Sequence, residues 1–239
     1  MINTLNESSL HEKLKKIYAK KFSGKAEIEL CGKIFDIVCA DSSLIEIQTQ
    51  NISKLKEKIV FAISEKRKLK IVFPFASEKK IALYNENGKI ISEKKSTAKK
   101  NVFDLFRELT SVCALLPNEN ISIDALEISL LEKRVETLEP VQSKNKKRRE
   151  KKAWLKFDKE LLSIHSLKTF QNAHDYVSLL PKNLSSEFSI HEFAKLTNAK
   201  KKQTEKLRIF LWCLEKMKLV KKIKKENGKV FFRVNFQFF

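Results

Sequence analysis

The stretch FDIVCADSSLIEIQTQ, residues 35–50, places polar side chains inside two short apolar runs that indicate β-strands. Asp36, Glu46 and Gln48 stand at positions where Val, Ile or Thr would suit a buried strand better. Charged side chains are rarely buried without a partner, because losing their water costs several kcal/mol. Either these faces of the strands are open to solvent, or a cation lies between them.

The connection between the two strands decides how these residues meet. A three-residue loop at 41–43 predicts that Asp36 lies opposite Gln48 and diagonal to Glu46. Two carboxylates without a counter-charge raise each other's pKa, and a hard divalent ion such as Mg²⁺ or Mn²⁺ would relieve that repulsion. An ordinary solvent-facing sheet surface is the alternative. The apolar neighbours of the acids favour a metal site over that alternative.

The helix predicted before these strands offers a third carboxylate. In a helix over residues 8–22, Glu7, His11 and Lys15 follow one line at i, i+4 and i+8, beside the apolar face. Glu12 points nearly the opposite way, into solvent. If a helix carboxylate joins the site, Glu7 is therefore the better candidate. The apolar face of this helix consists of Leu10, Leu14 and Ile17.

Hydrophobic periodicity extends the prediction to a mixed arrangement of helices and strands. It predicts, in order, a three-strand meander, a helix, a buried strand that ends at Pro74, and a hairpin, at residues 25–49, 53–66, 69–75 and 79–95. Residues 101–116 are helical by period, and residues 121–136 are extended or ambiguous. This order predicts an α/β (α+β) domain with a mixed sheet flanked by helices.

The second part of the chain has a separate pattern. Residues 140–153 hold seven basic residues and predict a linker between a domain at 1–139 and a unit at 154–239. That unit has the order helix, turn, helix and two-stranded ribbon, which is typical of a winged-helix domain. A small protein-interaction domain with a solvated lysine face is the alternative. The predicted DNA contacts at the start of its second helix are Lys200, Lys201, Lys202, Gln203 and Lys206.

The overall composition points to a basic, globular protein. Its 239 residues include 49 Lys and Arg against 29 Asp and Glu, a formal net charge of +20. Such an excess favours a polyanion as partner, because neutralised phosphates release counterions, although a lysine-rich surface that only aids solubility is the alternative. No apolar run is long enough for a membrane span or a signal peptide, so we expect a cytoplasmic protein.

The counts of glycine and cysteine exclude several other classes of site. Four glycines leave no P-loop and no dinucleotide-binding fingerprint. The four cysteines show no CxxC spacing and have apolar neighbours, so we expect reduced thiols in the core rather than a zinc site. These cysteines are Cys31, Cys39, Cys113 and Cys213.

Together these segments show a resemblance. A helix with a glutamate at its boundary, a strand carrying Asp36, and the tripeptide Glu46-Ile47-Gln48 entering a lysine-bearing helix resemble the PD-(D/E)xK nuclease superfamily in an ExQ variant. The segments SLHEKLKKIYA, DIV and LIEIQTQNISKLKEKI look like an uncharacterised prokaryotic family with this core and a winged-helix-like tail. The resemblance implies a restriction-endonuclease-like core and Mg²⁺-dependent cleavage of phosphodiester bonds in DNA.

The resemblance also assigns roles to residues. It implies that Asp36, Glu46 and the backbone carbonyl of Ile47 hold the metal, which activates a water and stabilises charge on the phosphate. Gln48 departs from the lysine usual in the superfamily, because an amide can bind a water but carries no positive charge. Lys54, on the first turn of the next helix, is the expected replacement. Lys56 and Lys58 are less well placed.

Two further interpretations remain open at this point. The site can be degenerate, with the nuclease fold retained as a DNA-binding module. Alternatively, the chain is a regulatory or protein-interaction component whose winged helix contacts another subunit. The sequence leaves open whether the chain acts as a homodimer or with a partner subunit.

Overall fold

The computed structural model describes residues 8–143 and 149–235, and within these residues seven strands form one mixed sheet. The strand order is β1-β2-β3-β4-β6-β7, and β5 pairs with the second half of β4. β3, β4 and β6 run parallel, whereas the remaining pairs are antiparallel. These elements are α1 (Ser9–Lys21), β1 (Lys25–Leu30), β2 (Lys33–Val38), β3 (Leu44–Ile47), a 3₁₀ turn (Ile52–Leu55), α2 (Lys56–Ser64), β4 (Leu69–Tyr84), β5 (Ile90–Lys95), α3 (Asp104–Leu109), a second 3₁₀ turn (Cys113–Leu115), β6 (Ile121–Val141) and β7 (Lys152–Phe170).

Helices cover both faces of this sheet. α1 packs on one face, where Leu10, Leu14 and Tyr18 join a core with strand residues such as Ile45. α2 and α3 pack on the other face in a second core. The predicted mixed α/β domain with a mixed sheet flanked by helices is thus confirmed. Ile17, predicted on the buried face of α1, is 36% exposed, and Tyr18 takes its place.

β4 continues through Pro74, so the predicted end of this strand at Pro74 is wrong. Parallel pairing directs alternate residues of β4 towards β3, and the N–H of Gln48 donates to the carbonyl of Val72 at 2.9 Å. The backbone nitrogen of Pro74 also points towards the β3 side. However, β3 ends at Ile47, which pairs with Val72, so β3 does not reach Pro74. Proline has no N–H to donate, and because β3 has already ended, no β3 ladder bond is lost at Pro74.

β6 and β7 form a long antiparallel hairpin, which changes the predicted domain boundary. Their pairing runs from Ile123 opposite Phe170 to Val141 opposite Lys152. Residues 140–153 therefore include the end of a hairpin rather than a linker between domains, and residues 144–148 lie outside the described residues. β7 belongs to the first sheet, so the second unit begins after it, near residue 171.

The second unit contains α4 (Ala173–Val177), β8 (Phe188–Ser189), α5 (Ile190–Leu196), α6 (Lys201–Lys216), β9 (Val220–Glu226) and β10 (Lys229–Val234). β10 lies between β8 and β9 in a separate sheet. β9 and β10 form a hairpin around Asn227 and Gly228, which both have positive φ. None of the helices in the described part of the chain is long and apolar enough to cross a membrane.

An aromatic cluster joins the two units. The ring of Phe106 on α3 lies 4.6 Å from that of Phe210 on α6 and 6.1 Å from that of Phe170 on β7, measured between centroids. Phe103 contacts Phe193 on α5 at 6.2 Å. Buried residues of both units belong to one continuous core, so α3 serves as the common support.

The cysteines occupy two kinds of environment. Cys39, Cys113 and Cys213 are buried, as predicted for core thiols. Cys31 is exposed and was wrongly predicted as a core residue. It lies with a φ of 50° in the tight turn between β1 and β2.

Candidate functional site

The loop between β2 and β3 sets the geometry of the site. Cys39 N–H donates to the carbonyl of Ser43 at 2.8 Å, and Ser42 N–H donates to the carbonyl of Cys39 at 3.0 Å. Ser42 has a φ of 66°, so it is the residue in the left-handed conformation that three-residue hairpin loops require. The loop therefore consists of residues 40–42, one position earlier than the predicted 41–43.

This shift of one residue in the loop moves the strand register by two. Ile37 pairs with Ile45 in the ladder, so Asp36 lies across from Glu46 and not, as predicted, across from Gln48. The β2–β3 ladder ends at this point, because Asp36 and Glu46 are not part of a regular backbone pair. The two acids are brought together, although by a register other than the predicted one.

The two carboxylates replace the missing ladder bonds. Ile47 N–H donates to Asp36 Oδ2 at 2.7 Å, and Asp36 N–H donates to Glu46 Oε1 at 3.2 Å. Each acid thus binds a backbone amide of the opposite strand where the strands separate. β2 is irregular here, since Phe35 packs in the core beside α2 whereas Ile37 packs in the core beside α1.

Lys58 provides the cation of the site. Its Nζ lies 2.6 Å from Glu46 Oε1 and 5.1 Å from the ring centroid of Phe35. The side chain of Glu46 is only 4% exposed, so this ion pair satisfies a nearly buried charge. The predicted cation was Lys54, which is exposed on the 3₁₀ turn before α2. Lys58, expected from the sequence to be less well placed, is the lysine that contacts Glu46.

His11 on α1 is the residue that the sequence prediction of the site missed. Its Nε2 lies 2.8 Å from the carbonyl oxygen of Ile47 and 3.4 Å from Asp36 Oδ2. Because a carbonyl only accepts hydrogen bonds, Nε2 carries the hydrogen. The Ile47 carbonyl, predicted as a metal ligand, therefore accepts a hydrogen bond from His11. The helical line through Glu7, His11 and Lys15 is the signal in the sequence that contains this residue.

The environment moves the pKa values of the two acids in opposite directions. Burial acts to raise the pKa of Asp36, but the hydrogen bonds from His11 and Ile47 and the charges of His11 and Lys58 outweigh it and hold this pKa below its usual range. Burial, followed by the charge of Asp36, raises the pKa of Glu46 to about 7 despite Lys58. Two acids with separated pKa values in one apolar setting are a pattern of functional sites.

Gln48 and Glu7 do not add to the described site. The side-chain amide of Gln48 donates to the carbonyls of Gln50 and Asn51, so it turns towards the loop that precedes α2. Glu7 lies outside the described residues.

The acids retain some capacity for a divalent cation. Within residues 8–143 and 149–235, no group of three or more His, Cys, Asp and Glu side chains has the arrangement of a metal site. In the same residues, neither Asp36 Oδ1 nor Glu46 Oε2 accepts a hydrogen bond. One hard oxygen on each acid is therefore not engaged within these residues, and carboxylate oxygen is the ligand type that Mg²⁺ prefers.

The predicted DNA contacts on α6 divide into two groups. Lys200, Lys201, Lys202 and Gln203 are exposed at the start of the helix. Lys206 instead donates to Asp104 Oδ2 on α3 at 2.6 Å, and both side chains are mostly buried. Lys206 therefore joins the two units, and its prediction as a DNA contact does not agree with this position.

Comparisons with known proteins place the chain in a family. The model described as a domain of unknown function (DUF8091) matches residues 8–171, so the chain belongs to that family. This match covers α1 to the end of β7, which is the first sheet with its helices. An uncharacterized protein of Treponema pallidum (strain Nichols) is 27% identical over 194 residues, which are 81% of this chain and 74% of that protein. No solved structure gives a significant match.

Proposed function

We propose that this chain is a metal-dependent endonuclease that hydrolyses phosphodiester bonds in DNA. The observation that carries the proposal is the convergence of Asp36 from β2, Glu46 from β3 and Lys58 from α2 where two strands separate. This set supplies two carboxylates and a cation, which is the combination implied by the resemblance to the PD-(D/E)xK superfamily.

Each residue has a role in this proposal. The available oxygens of Asp36 and Glu46 would hold Mg²⁺ or Mn²⁺, and the bound ion supplies a lowered pKa for a water and charge stabilisation at the phosphate. Lys58 partly offsets the rise that burial causes in the pKa of Glu46, and it adds positive charge beside the acids. His11 fixes the orientation of Asp36 through its contact with Oδ2. We assign Gln48 no role, because its side-chain amide binds the carbonyls of Gln50 and Asn51.

The C-terminal unit would position the substrate. Its order of two helices and a hairpin supports a winged-helix assignment, and Lys200, Lys201, Lys202 and Gln203 at the exposed start of α6 provide the surface for phosphate contacts. The formal net charge of +20 supports a polyanion as partner.

A degenerate nuclease fold that binds DNA or another protein without cleavage is the second candidate. The observation that favours it is the internal use of the acids, because one oxygen of each already binds a backbone N–H of the opposite strand. In this alternative, the acids stabilise the separated strands and the basic surfaces alone carry the function.

Nicking of supercoiled plasmid in Mg²⁺ or Mn²⁺ tests the two candidates. Asp36→Asn and Lys58→Met are each expected to lower the rate about 100-fold or more, because each removes charge at the reacting phosphate. Asp41→Asn and Lys54→Met alter an exposed acid and an exposed lysine nearby, and they serve as matched controls at the parental rate. Folding of each variant is verified by thermal unfolding. Parental rates in both site variants would exclude this site, and a parent without cleavage would favour the second candidate.

A further inference from the structure

A second cleft, separate from the acid pair, is lined by lysines. It lies over β4, β6 and β7, has a volume of about 180 Å³, and is bordered by Thr49, two residues after the end of β3. The cleft is smaller than the ~300–1,000 Å³ typical of pockets for larger ligands, so it suits a small group. Its charged lining residues are Lys79, Lys100, Lys156, Lys159 and Glu132.

Backbone pairing fixes the positions of these lysines. Lys159 on β7 lies opposite Glu132 on β6, and Lys156 lies opposite Arg134. Lys100 belongs to the segment after β5, and its N–H donates to the carbonyl of Ala76 on β4 at 2.9 Å. The ammonium groups therefore come from two strands and a segment that is hydrogen-bonded to the sheet, rather than from one solvated run of lysines.

Positive charge in the cleft exceeds negative charge. Glu132 is the acid of the lining, and it already binds Lys79 at 3.5 Å and the Nε of Arg134 at 2.8 Å. In the part of the chain that the structure describes, Lys100, Lys156 and Lys159 form no ion pair. Burial, reinforced by the charges of Lys156 and Lys100, lowers the pKa of Lys159 to about 8. Lys100 and Lys156 are exposed and Lys159 is half-buried, and their like charges at one cleft favour an anion there.

We propose that this cleft binds a phosphate group. A phosphate carries up to two negative charges and several acceptor oxygens, and lysine is a common point-charge ligand for it. The group can be free or part of a small phosphorylated molecule, or it can be the terminal phosphate of a polynucleotide. The site does not depend on cleavage at Asp36 and Glu46, so it stands or fails independently of the proposed nuclease activity.

Thermal unfolding of the full chain in inorganic phosphate tests the cleft, with chloride at equal ionic strength as reference. A ligand that binds only the folded state raises Tm, so phosphate is expected to raise the parental Tm above the chloride value. Titration calorimetry is expected to show phosphate binding weakened about tenfold in Lys100→Met and in Lys159→Met. Lys99→Met, which removes the adjacent exposed lysine outside the cleft, is the matched control and is expected to bind like the parent.

Two results would overturn the proposal: a parental Tm that is the same in phosphate and chloride, or parental phosphate affinity in both cleft variants. A further comparison uses 5′-phosphorylated and 5′-hydroxyl oligonucleotides of one sequence. Tighter binding of the phosphorylated end, lost in Lys159→Met and kept in Lys99→Met, supports the site and assigns it to a polynucleotide end. Equal binding of both oligonucleotides, with inorganic phosphate still bound more weakly by the two cleft variants than by the parent and Lys99→Met, supports the site and assigns it to free or small phosphorylated ligands.

Discussion

At the scale of single residues, Asp36 and Glu46 explain why acids interrupt two apolar strands. Each carboxylate accepts a backbone N–H that would otherwise lack a partner where β2 and β3 separate. Unsatisfied amides in a buried position cost about 1–3 kcal/mol each, so the acids stabilise the opening between the strands whatever ion they bind. Lys58 completes the arrangement by pairing with Glu46.

The protonation of Glu46 makes stability depend on pH. Its pKa rises from 4.5 to about 7 on folding, so the folded state holds the proton more tightly. The resulting stability is fully present below pH 4.5 and is lost as the pH rises through 7. Each pKa unit corresponds to about 1.4 kcal/mol. We therefore expect Glu46→Gln to reduce the fall in unfolding free energy between pH 5 and pH 7.5, measured by urea denaturation.

Glu65→Gln is the matched control, because Glu65 is exposed at the end of α2. It is expected to keep the parental pH dependence. Asp36 contributes little in this window, since its lowered pKa places its titration at more acidic pH. An unchanged pH dependence in Glu46→Gln would contradict the assignment to Glu46.

Removal of Lys58 is expected to destabilise the fold more than removal of Lys54. Lys58→Met leaves the nearly buried Glu46 without its cation, so at pH 8 we expect a loss of about 3 kcal/mol in unfolding free energy. Lys54→Met changes an exposed side chain and is expected to stay within about 0.5 kcal/mol of the parent. At pH 5, where Glu46 is protonated, the cost of Lys58→Met should shrink. Equal losses for both variants at pH 8 would refute the ion pair.

At the scale of elements, α6 divides into an exposed N-terminal end, which is open to a ligand, and a buried face, which packs in the core. If the chain binds DNA, Lys201→Ala and Lys202→Ala should each reduce the slope of log K against log salt by about 1 while leaving stability unchanged. Lys206→Ala leaves the Asp104 carboxylate unpaired between α6 and α3, so we expect a loss of about 1–3 kcal/mol in unfolding free energy. Fluorescence titrations over a salt series and urea denaturation separate the two effects. A reduced salt slope in Lys206→Ala without loss of stability would contradict this division.

The prediction of elements from sequence succeeded where periodicity was long and failed at connections. The helix over residues 8–22, the meander and the hairpin at Asn85 to Gly88 are present. The register of β2 and β3 was wrong because the sequence does not distinguish a loop at 40–42 from one at 41–43. A single left-handed residue, Ser42, makes that difference.

The cation of the site was missed for a related reason. The prediction began the second helix at Ser53, but Ile52–Leu55 form a 3₁₀ turn and α2 begins at Lys56. A 3₁₀ turn has 3.0 residues per turn instead of 3.6, so it rotates every following side chain relative to the extrapolated helix. Lys54 lies on this 3₁₀ turn, whereas Lys58 lies on α2 and contacts Glu46. Local composition gives no sign of the change in period.

At the scale of the whole molecule, the basic segment at 140–153 illustrates a limit of composition. Its charge and lack of apolar residues predict a linker. The strands on either side of it, β6 and β7, instead pair with each other, from Val141 opposite Lys152 to Ile123 opposite Phe170. Pairing between distant residues is a tertiary property that local patterns do not encode. The two units consequently share a core through α3 instead of being connected by a flexible segment.

This shared core predicts a single unfolding transition. Trp154 reports on β7 in the first unit and Trp212 reports on α6 in the second, so Trp154→Phe and Trp212→Phe give one fluorescent probe for each. We expect equal urea midpoints for both probes, because Phe106 and Phe210 couple the units. Phe106→Ala should lower both midpoints together, with a loss of about 3–5 kcal/mol. Separate midpoints in the two single-tryptophan variants would indicate independent domains.

The position of α3 also has a consequence for synthesis on the ribosome. The apolar face of α3 emerges early, but its cover on α6 follows only after the chain has grown from Phe106 to Phe210. At about 5–20 residues per second, addition of these roughly 100 residues takes about 5 to 20 s. During that interval the nascent chain presents an open aromatic surface, which makes it a substrate for chaperones that bind at the ribosomal exit.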